Sequence, residues 1–213
     1  MRRGCATVLN IWGRANSINV QKVLWCCDEL GLEYERIDAG GPFGRTRDPD
    51  YLAMNPNALV PTISDDGFIL WESNAIVRYL CSKRGAGSLY PEDLRERANA
   101  DRWMDWQLGT ISNALRPVFI GLVRTPPEDR DEAAIEAARQ STAAAWEILE
   151  AHMEGRDYAL GDDFTMADIP LGVSIYRWLR LPVERPPIPN LEAYHERLSE
   201  RPAFRERVML PLT

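Results

Sequence analysis

Between Ala6 and Ile37 the chain reads strand, loop, helix, strand with almost no slack, and that spacing restricts the fold more than any other feature of the sequence. Ala6 to Trp12 alternates into β-branched and aromatic residues, Gly13 to Asn16 is loop-like, and Ser17 opens a periodic apolar stretch that runs to Leu30. Val20, Val23, Leu24, Cys27 and Leu30 share one helical face, and Gly31 suits the left-handed turn that stops such a helix. Glu33 to Ile37 is strand-like and follows at once. A crossover this short favours a parallel pair of strands joined with right-handed chirality.

A loop rich in Gly, Asp and Arg then leads to a helical turn near Pro49 to Met54 and to the segment Asn55-Pro56-Asn57-Ala58-Leu59-Val60-Pro61. Thr62 to Ser64 and Phe68 to Trp71 read as short strands around Asp65-Asp66-Gly67, a good hairpin turn. A helix begins at Ser73 and carries Ile76, Val77 and Leu80 inward, which completes the order βαβ-ββα. Gly85 to Pro91 is a linker, and strand patterns stop there. The spacing predicts a long helix over Leu94 to Val123, with Leu94, Ala98, Met104, Leu108, Ile111, Leu115, Val118 and Leu122 on its apolar face and a kink at Pro117. Further helices are expected over Glu128 to Met153, from Thr165, over Asn190 to Ser199 and over Pro202 to Val208. The expected architecture is an α/β domain over residues 1–84 and an all-helical domain over residues 90–213.

Charge and composition remove several classes of function. A net charge of −7, with arginines scattered rather than clustered, gives no basic stripe for a nucleic acid. No apolar run approaches the roughly 20 residues that cross a bilayer. Gly4 to Trp12 is too short and interrupted for a signal-peptide core, so a soluble cytoplasmic protein is expected. Cys5, Cys26, Cys27 and Cys81 lack CxxC spacing and neighbouring His, which points to buried reduced thiols rather than a metal or redox site. With His152 and His195 as the only histidines, neither a His-based metal centre nor a Ser-His-Asp arrangement has support. The only lysines are Lys22 and Lys83.

Three constellations can carry chemistry. Gly13 to Val23 is a polar loop ending on a helix N-terminus, where free N–H groups and the helix dipole favour an anion. Ser17 or Asn19 would serve there as a directed donor or as an ordinary N-cap. Val60-Pro61 precedes a strand, and a cis bond at that point turns the Val60 backbone outward as a paired donor and acceptor for an extended peptide, whereas a trans bond makes it an ordinary strand start. Trp71-Glu72-Ser73-Asn74 opens a helix, where Ser73 can cap or bind a carboxylate and Glu72 can hold an ammonium group.

These three in this order, with Ile76, Tyr79-Leu80 and the capping box Thr165-Met166-Ala167-Asp168, resemble the cytosolic glutathione transferase family over essentially the whole chain. The resemblance implies a thioredoxin-like N-terminal domain followed by an all-helical one. It implies that Ser17 holds the glutathione sulfur as thiolate, with Asn19 sharing or replacing that role. It further implies that Pro61 is a cis-proline, that the Val60 backbone pairs with the cysteinyl part of glutathione, and that Glu72 and Ser73 grip the γ-glutamyl end. Glutathione is then the co-substrate, no metal is required, and a thiolate attacks small hydrophobic electrophiles. The acceptor pocket is expected between the loop around Trp12 to Arg14 and the helix from Leu94, with Trp103, Trp106 and Phe119 as core or pocket residues, in a homodimer. Asn57-Ala58-Leu59 departs from the family pattern, which leaves the glycyl-carboxylate contact to Arg14 or Arg45. A glutathione-dependent isomerase or reductase, and a non-catalytic interaction protein of the same fold, are the rival readings.

Overall fold

A computed structural model describes residues 8–213; Cys5 and the first residues of the expected first strand lie outside them. Strand β1 (Leu9–Trp12) runs parallel to β2 (Tyr34–Ile37) across helix α1 (Ile18–Glu29), as the short crossover requires. After α2 (Pro49–Met54), β3 (Thr62–Asp65) and β4 (Phe68–Trp71) form an antiparallel hairpin, and β3 pairs antiparallel with β1 to give the sheet order β2-β1-β3-β4. The hairpin turn places Asp66 at φ 52° and Gly67 at φ 83°, two successive left-handed residues, matching the strand twist. Helix α3 (Ser73–Arg84) closes this thioredoxin-like unit by packing against α1.

Among the described residues no further strand follows, apart from isolated bridges. Helix α4 (Leu94–Trp106) passes through a π-turn at Gln107–Ile111 into α5 (Ser112–Phe119), and a second π-turn covers Ile120–Arg124. The expected helix is therefore continuous, with its irregularities in π-turns on either side of Pro117. Met104, Ile111, Leu115 and Val118 are buried, while Leu94, Ala98 and Leu108 face outward, and Ala100, Trp103 and Gln107 fill the buried face instead. Helices α6 (Glu132–His152), α7 (Asp168–Arg180), α8 (Pro189–Ser199) and α9 (Pro202–Arg207) complete the chain.

Helix α7 is the centre of the helical part, and almost all of it is buried. Its start is fixed by Asp168, whose carboxylate accepts from Thr165 N (2.8 Å), Ala159 N (2.9 Å) and the Tyr194 hydroxyl (2.8 Å), while Thr165 Oγ1 accepts from Ala167 N at 3.4 Å. Burial raises the Asp168 pKa against these bonds, so they are what keep a carboxylate in the core. Helix α1 packs on both α3 and α7, which explains why Lys22, Trp25 and Cys26 are as buried as the apolar face. Trp25 fills the seam edge-on to Phe204 at 4.8 Å and beside Phe164 at 5.4 Å. The close approach of α7 needs a glycine at 172, where a Cβ would lie 2.8 Å from both Trp25 and Leu198. Cys26, Cys27 and Cys81 are free and buried, as expected of reduced thiols. Among the described residues no helix is long and apolar enough to cross a membrane.

Candidate functional site

The loop after β1 folds back on itself before α1 begins: Gly13 N donates to Ile37 O at 2.9 Å, and Ser17 N donates to Arg14 O at 3.1 Å. Gly13 sits so close to Val20 that a Cβ would fall 2.4 Å from the Val20 side chain, so the loop lies flat on the helix it precedes. Ser17 occupies the N-cap position with φ −80° and ψ 123°, yet its hydroxyl caps no helix N–H. It is buried to 8 % exposure and bonds to no described residue through Oγ. A hydroxyl spared from capping at the positive end of a twelve-residue helix is a free donor in an anion-favouring place.

Asn19 sits in the first turn rather than at the cap, and its Oδ1 accepts from Ser73 Oγ at 3.3 Å. The first and third constellations thus meet at the adjoining N-termini of α1 and α3. Ser73 is the first helical residue; the N-cap of α3 is Glu72, whose side chain caps nothing. Glu72 holds φ 73°, a conformation that disfavours side chains with a Cβ, and its carboxylate is exposed with no ion-pair partner among the described residues. Such backbone strain persists where the surroundings fix it, and it is common at binding sites. Here the Ile76 N–H donates to Glu72 O at 2.9 Å.

The Val60-Pro61 bond is cis. The preceding carbonyl is turned inward by a buried clamp: Leu59 O accepts from the Tyr51 hydroxyl (2.6 Å) and Asn55 Nδ2 (2.9 Å), and both side chains also reach Thr62 Oγ1. The Val60 backbone groups bond to no described residue and remain available. Asn57 folds onto Asn55 through two bonds at 3.1 and 3.2 Å, and Ala58 adopts φ 54°. Arg14 packs across Gly41, while Arg45 is exposed and its side chain reaches no described residue.

Beneath the site lies a network that motif reading missed. Lys22 is fully buried and donates to Asn74 Oδ1 and Gln107 Oε1, each at 3.1 Å. Asn74 Nδ2 continues to Met104 O at 2.8 Å, and Gln107 Nε2 continues to Ser112 Oγ and Ser174 Oγ at 2.8 and 2.9 Å. Burial lowers the Lys22 pKa to about 7, with Glu72 opposing that drop and Arg177 adding to it. The network ties α1, α3, the first π-turn and α7 together directly under Ser73. The available signal was compositional: Lys22 is one of two lysines in a chain that otherwise uses arginine. Trp103 and Phe119 are core residues, and Trp106 lies half-buried against Trp103 at 5.2 Å.

The chain is similar to known proteins over nearly its whole length. It matches the glutathione S-transferase N-terminal domain over residues 16–83 and the C-terminal domain over residues 112–202. It is 46 % identical over 208 residues to glutathione S-transferase GstB of Escherichia coli strain K12, covering 97 % of this chain and all of that protein. Its structure is similar, with a TM-score of 0.93 and 47 % identity, to the theta class glutathione S-transferase of Xanthomonas axonopodis pv. citri with glutathione bound, across 97 % of this chain and 99 % of that one. Glutathione transferase F7 of Populus trichocarpa is more distant, at 26 % identity with a TM-score of 0.85 over 95 % of this chain and 98 % of that one. With both domains present in order and nearly half the residues shared with a full-length relative, the chain belongs to the glutathione S-transferase family.

Proposed function

We propose that this glutathione transferase activates its co-substrate through Ser17, and that Asn19 acts chiefly by holding Ser73. The observation that carries the assignment is the Ser17 hydroxyl, buried at the N-terminus of α1 and free of any capping bond. A free thiol has a pKa of about 8.5, and only its thiolate is a strong nucleophile. A hydroxyl hydrogen bond favours the anion and lowers that pKa by roughly one to two units, and a helix N-terminus acts in the same direction. The proton passes to solvent, the sulfur lone pair forms the bond to the acceptor carbon, and the leaving group departs with its own electron pair.

The remaining contacts follow from the free backbone and side-chain groups nearby. Val60, with both backbone groups free beside Pro61, pairs with the cysteinyl main chain. The γ-glutamyl carboxylate lies at the N-terminus of α3 against Ser73, and its ammonium group meets Glu72. Residues 1–84 supply this half of the site and residues 90–213 the acceptor wall, in a cytoplasmic homodimer acting on small electrophiles. An intact donor and an unpaired Glu72 speak against the non-catalytic reading. The test is the ultraviolet absorbance of bound glutathione thiolate against pH: a bound-thiol pKa at or above 8.5 would refute the proposal.

A further inference from the structure

Arginines at the seam between sheet and helices fall into two kinds. Arg201 binds both oxygens of Glu29 at 2.8 and 2.6 Å, and Arg207 binds Asp28 at 2.5 Å. The cavity of about 800 Å³ between them is thus walled by charges that already satisfy one another. Arg14, Arg124 and Arg177 form no ion pair with any Asp or Glu among the described residues. The chain has 32 acidic residues for 25 basic ones, so three such arginines at one place are not explained by a shortage of partners.

Two of them meet on one ring, and the charge of the third acts on both. The Arg177 guanidinium stacks 3.9 Å from the Phe119 centroid, and that of Arg124 lies 4.9 Å from it. Arg14 comes from the loop before Ser17, where its Nη1 donates to Asn16 Oδ1 at 2.7 Å. Asn16 bonds to Thr213 Oγ1, and Arg124 donates to Thr213 O at 3.3 Å, so one tail residue joins the loop to the second π-turn. Exposure falls from Arg124, exposed, through Arg14 to Arg177, whose Nε is buried with no partner. Desolvation and its two neighbours lower the Arg177 pKa to about 9, with no acid acting against them. A buried guanidinium edge left without an acceptor is costly, and a planar anion is what its fork of donors fits.

We propose that Arg14, Arg124 and Arg177 bind an anionic group on the acceptor, so that the preferred electrophiles carry a carboxylate or a similar planar anion. This rests on the transferase reading and gives it a substrate class. Arg124 at the rim captures the anion, and Arg177 holds it with the reactive carbon turned toward the thiolate at Ser17. In the substitution the sulfur–carbon bond forms, the carbon–halogen bond breaks with halide taking its electrons, and the carboxylate is unchanged.

The test compares 4-chloro-3-nitrobenzoate with its neutral isostere 4-chloro-3-nitrobenzamide, each kcat/KM divided by the uncatalysed rate with glutathione. Binding of 3-nitrobenzoate and 3-nitrobenzamide, which cannot react, is measured in parallel by tryptophan quenching. A preference for the acid of about tenfold or more in both readouts, reduced to near unity in Arg177→Gln, is expected. Equal values in the wild-type protein overturn the proposal, and that comparison needs no variant to fold. So does 3-nitrobenzoate inhibiting competitively against glutathione rather than against the acceptor, because the arginines then serve the glycyl carboxylate. If neither substrate turns over while 3-nitrobenzoate keeps its binding preference, the anion site stands and the transferase reading falls.

Discussion

Ser17→Ala separates a catalytic hydroxyl from a helix cap. If Ser17 were an N-cap, the substitution would cost about 1 kcal/mol of stability, or about 2–4 °C in Tm for a chain of this size, and would leave the chemistry alone. Its hydroxyl makes no capping bond, so the expected change in stability is within about 0.5 kcal/mol. The loss falls on the thiolate. A hydrogen bond to an ionised group contributes about 1.5–3 kcal/mol, and at about 1.4 kcal/mol per unit its removal raises the bound-thiol pKa by about one to two units. The acid limb of the kcat/KM profile moves up by the same amount, and turnover on that limb falls about 10- to 100-fold. Thiolate absorbance against pH, kcat/KM against pH and a thermal melt on the same preparation measure all three. A lowered Tm with an unmoved thiol pKa would show Ser17 to be a cap and refute the reasoning.

Asn19→Ala removes the acceptor of the Ser73 hydroxyl, so the KM for glutathione should rise several-fold while the bound-thiol pKa stays in place; a pKa rise as large as that of Ser17→Ala would make Asn19 the donor instead. Lys22 titrates at about 7 in the folded protein against 10.5 ordinarily, so between those values the unfolded chain holds the extra proton and stability rises with pH, by up to about 1.4 kcal/mol per unit. The stability of wild type minus that of Lys22→Met in denaturant melts should therefore climb from pH 7 to about pH 10, and a flat difference would mean the lysine is not desolvated. Gly172→Ala puts a methyl group within 2.8 Å of Trp25 and Leu198, and should cost about 1–3 kcal/mol in urea melts; a neutral result would show that the α1–α7 seam can open without penalty.

Much of the fold is local information. The apolar face of α1 with Gly31 behind it, the Asp-Asp-Gly hairpin and the Thr165–Asp168 box each specify their own geometry through periodicity, turn residues or mutual capping. Together they fix the order of elements. Ser17, Val60, Pro61, Glu72 and Ser73 could be singled out because each sits at a junction, where backbone groups are left free, and junctions are marked by Pro, Gly and polar residues. What the sequence could not decide was which of those groups are spent on the chain itself. That Ser17 caps nothing, that Asn19 reaches Ser73 across two helices, and that Leu108 faces outward within a π-turn follow from packing with no signature in the residues. The Lys22 network and the three arginines without an Asp or Glu partner belong to the tertiary structure for the same reason. A charge is defined by what surrounds it: Arg124 and Arg177, far apart in the chain, meet only where the second π-turn and α7 close on Phe119, and Arg14 acts on Arg177 only because the loop before α1 lies near.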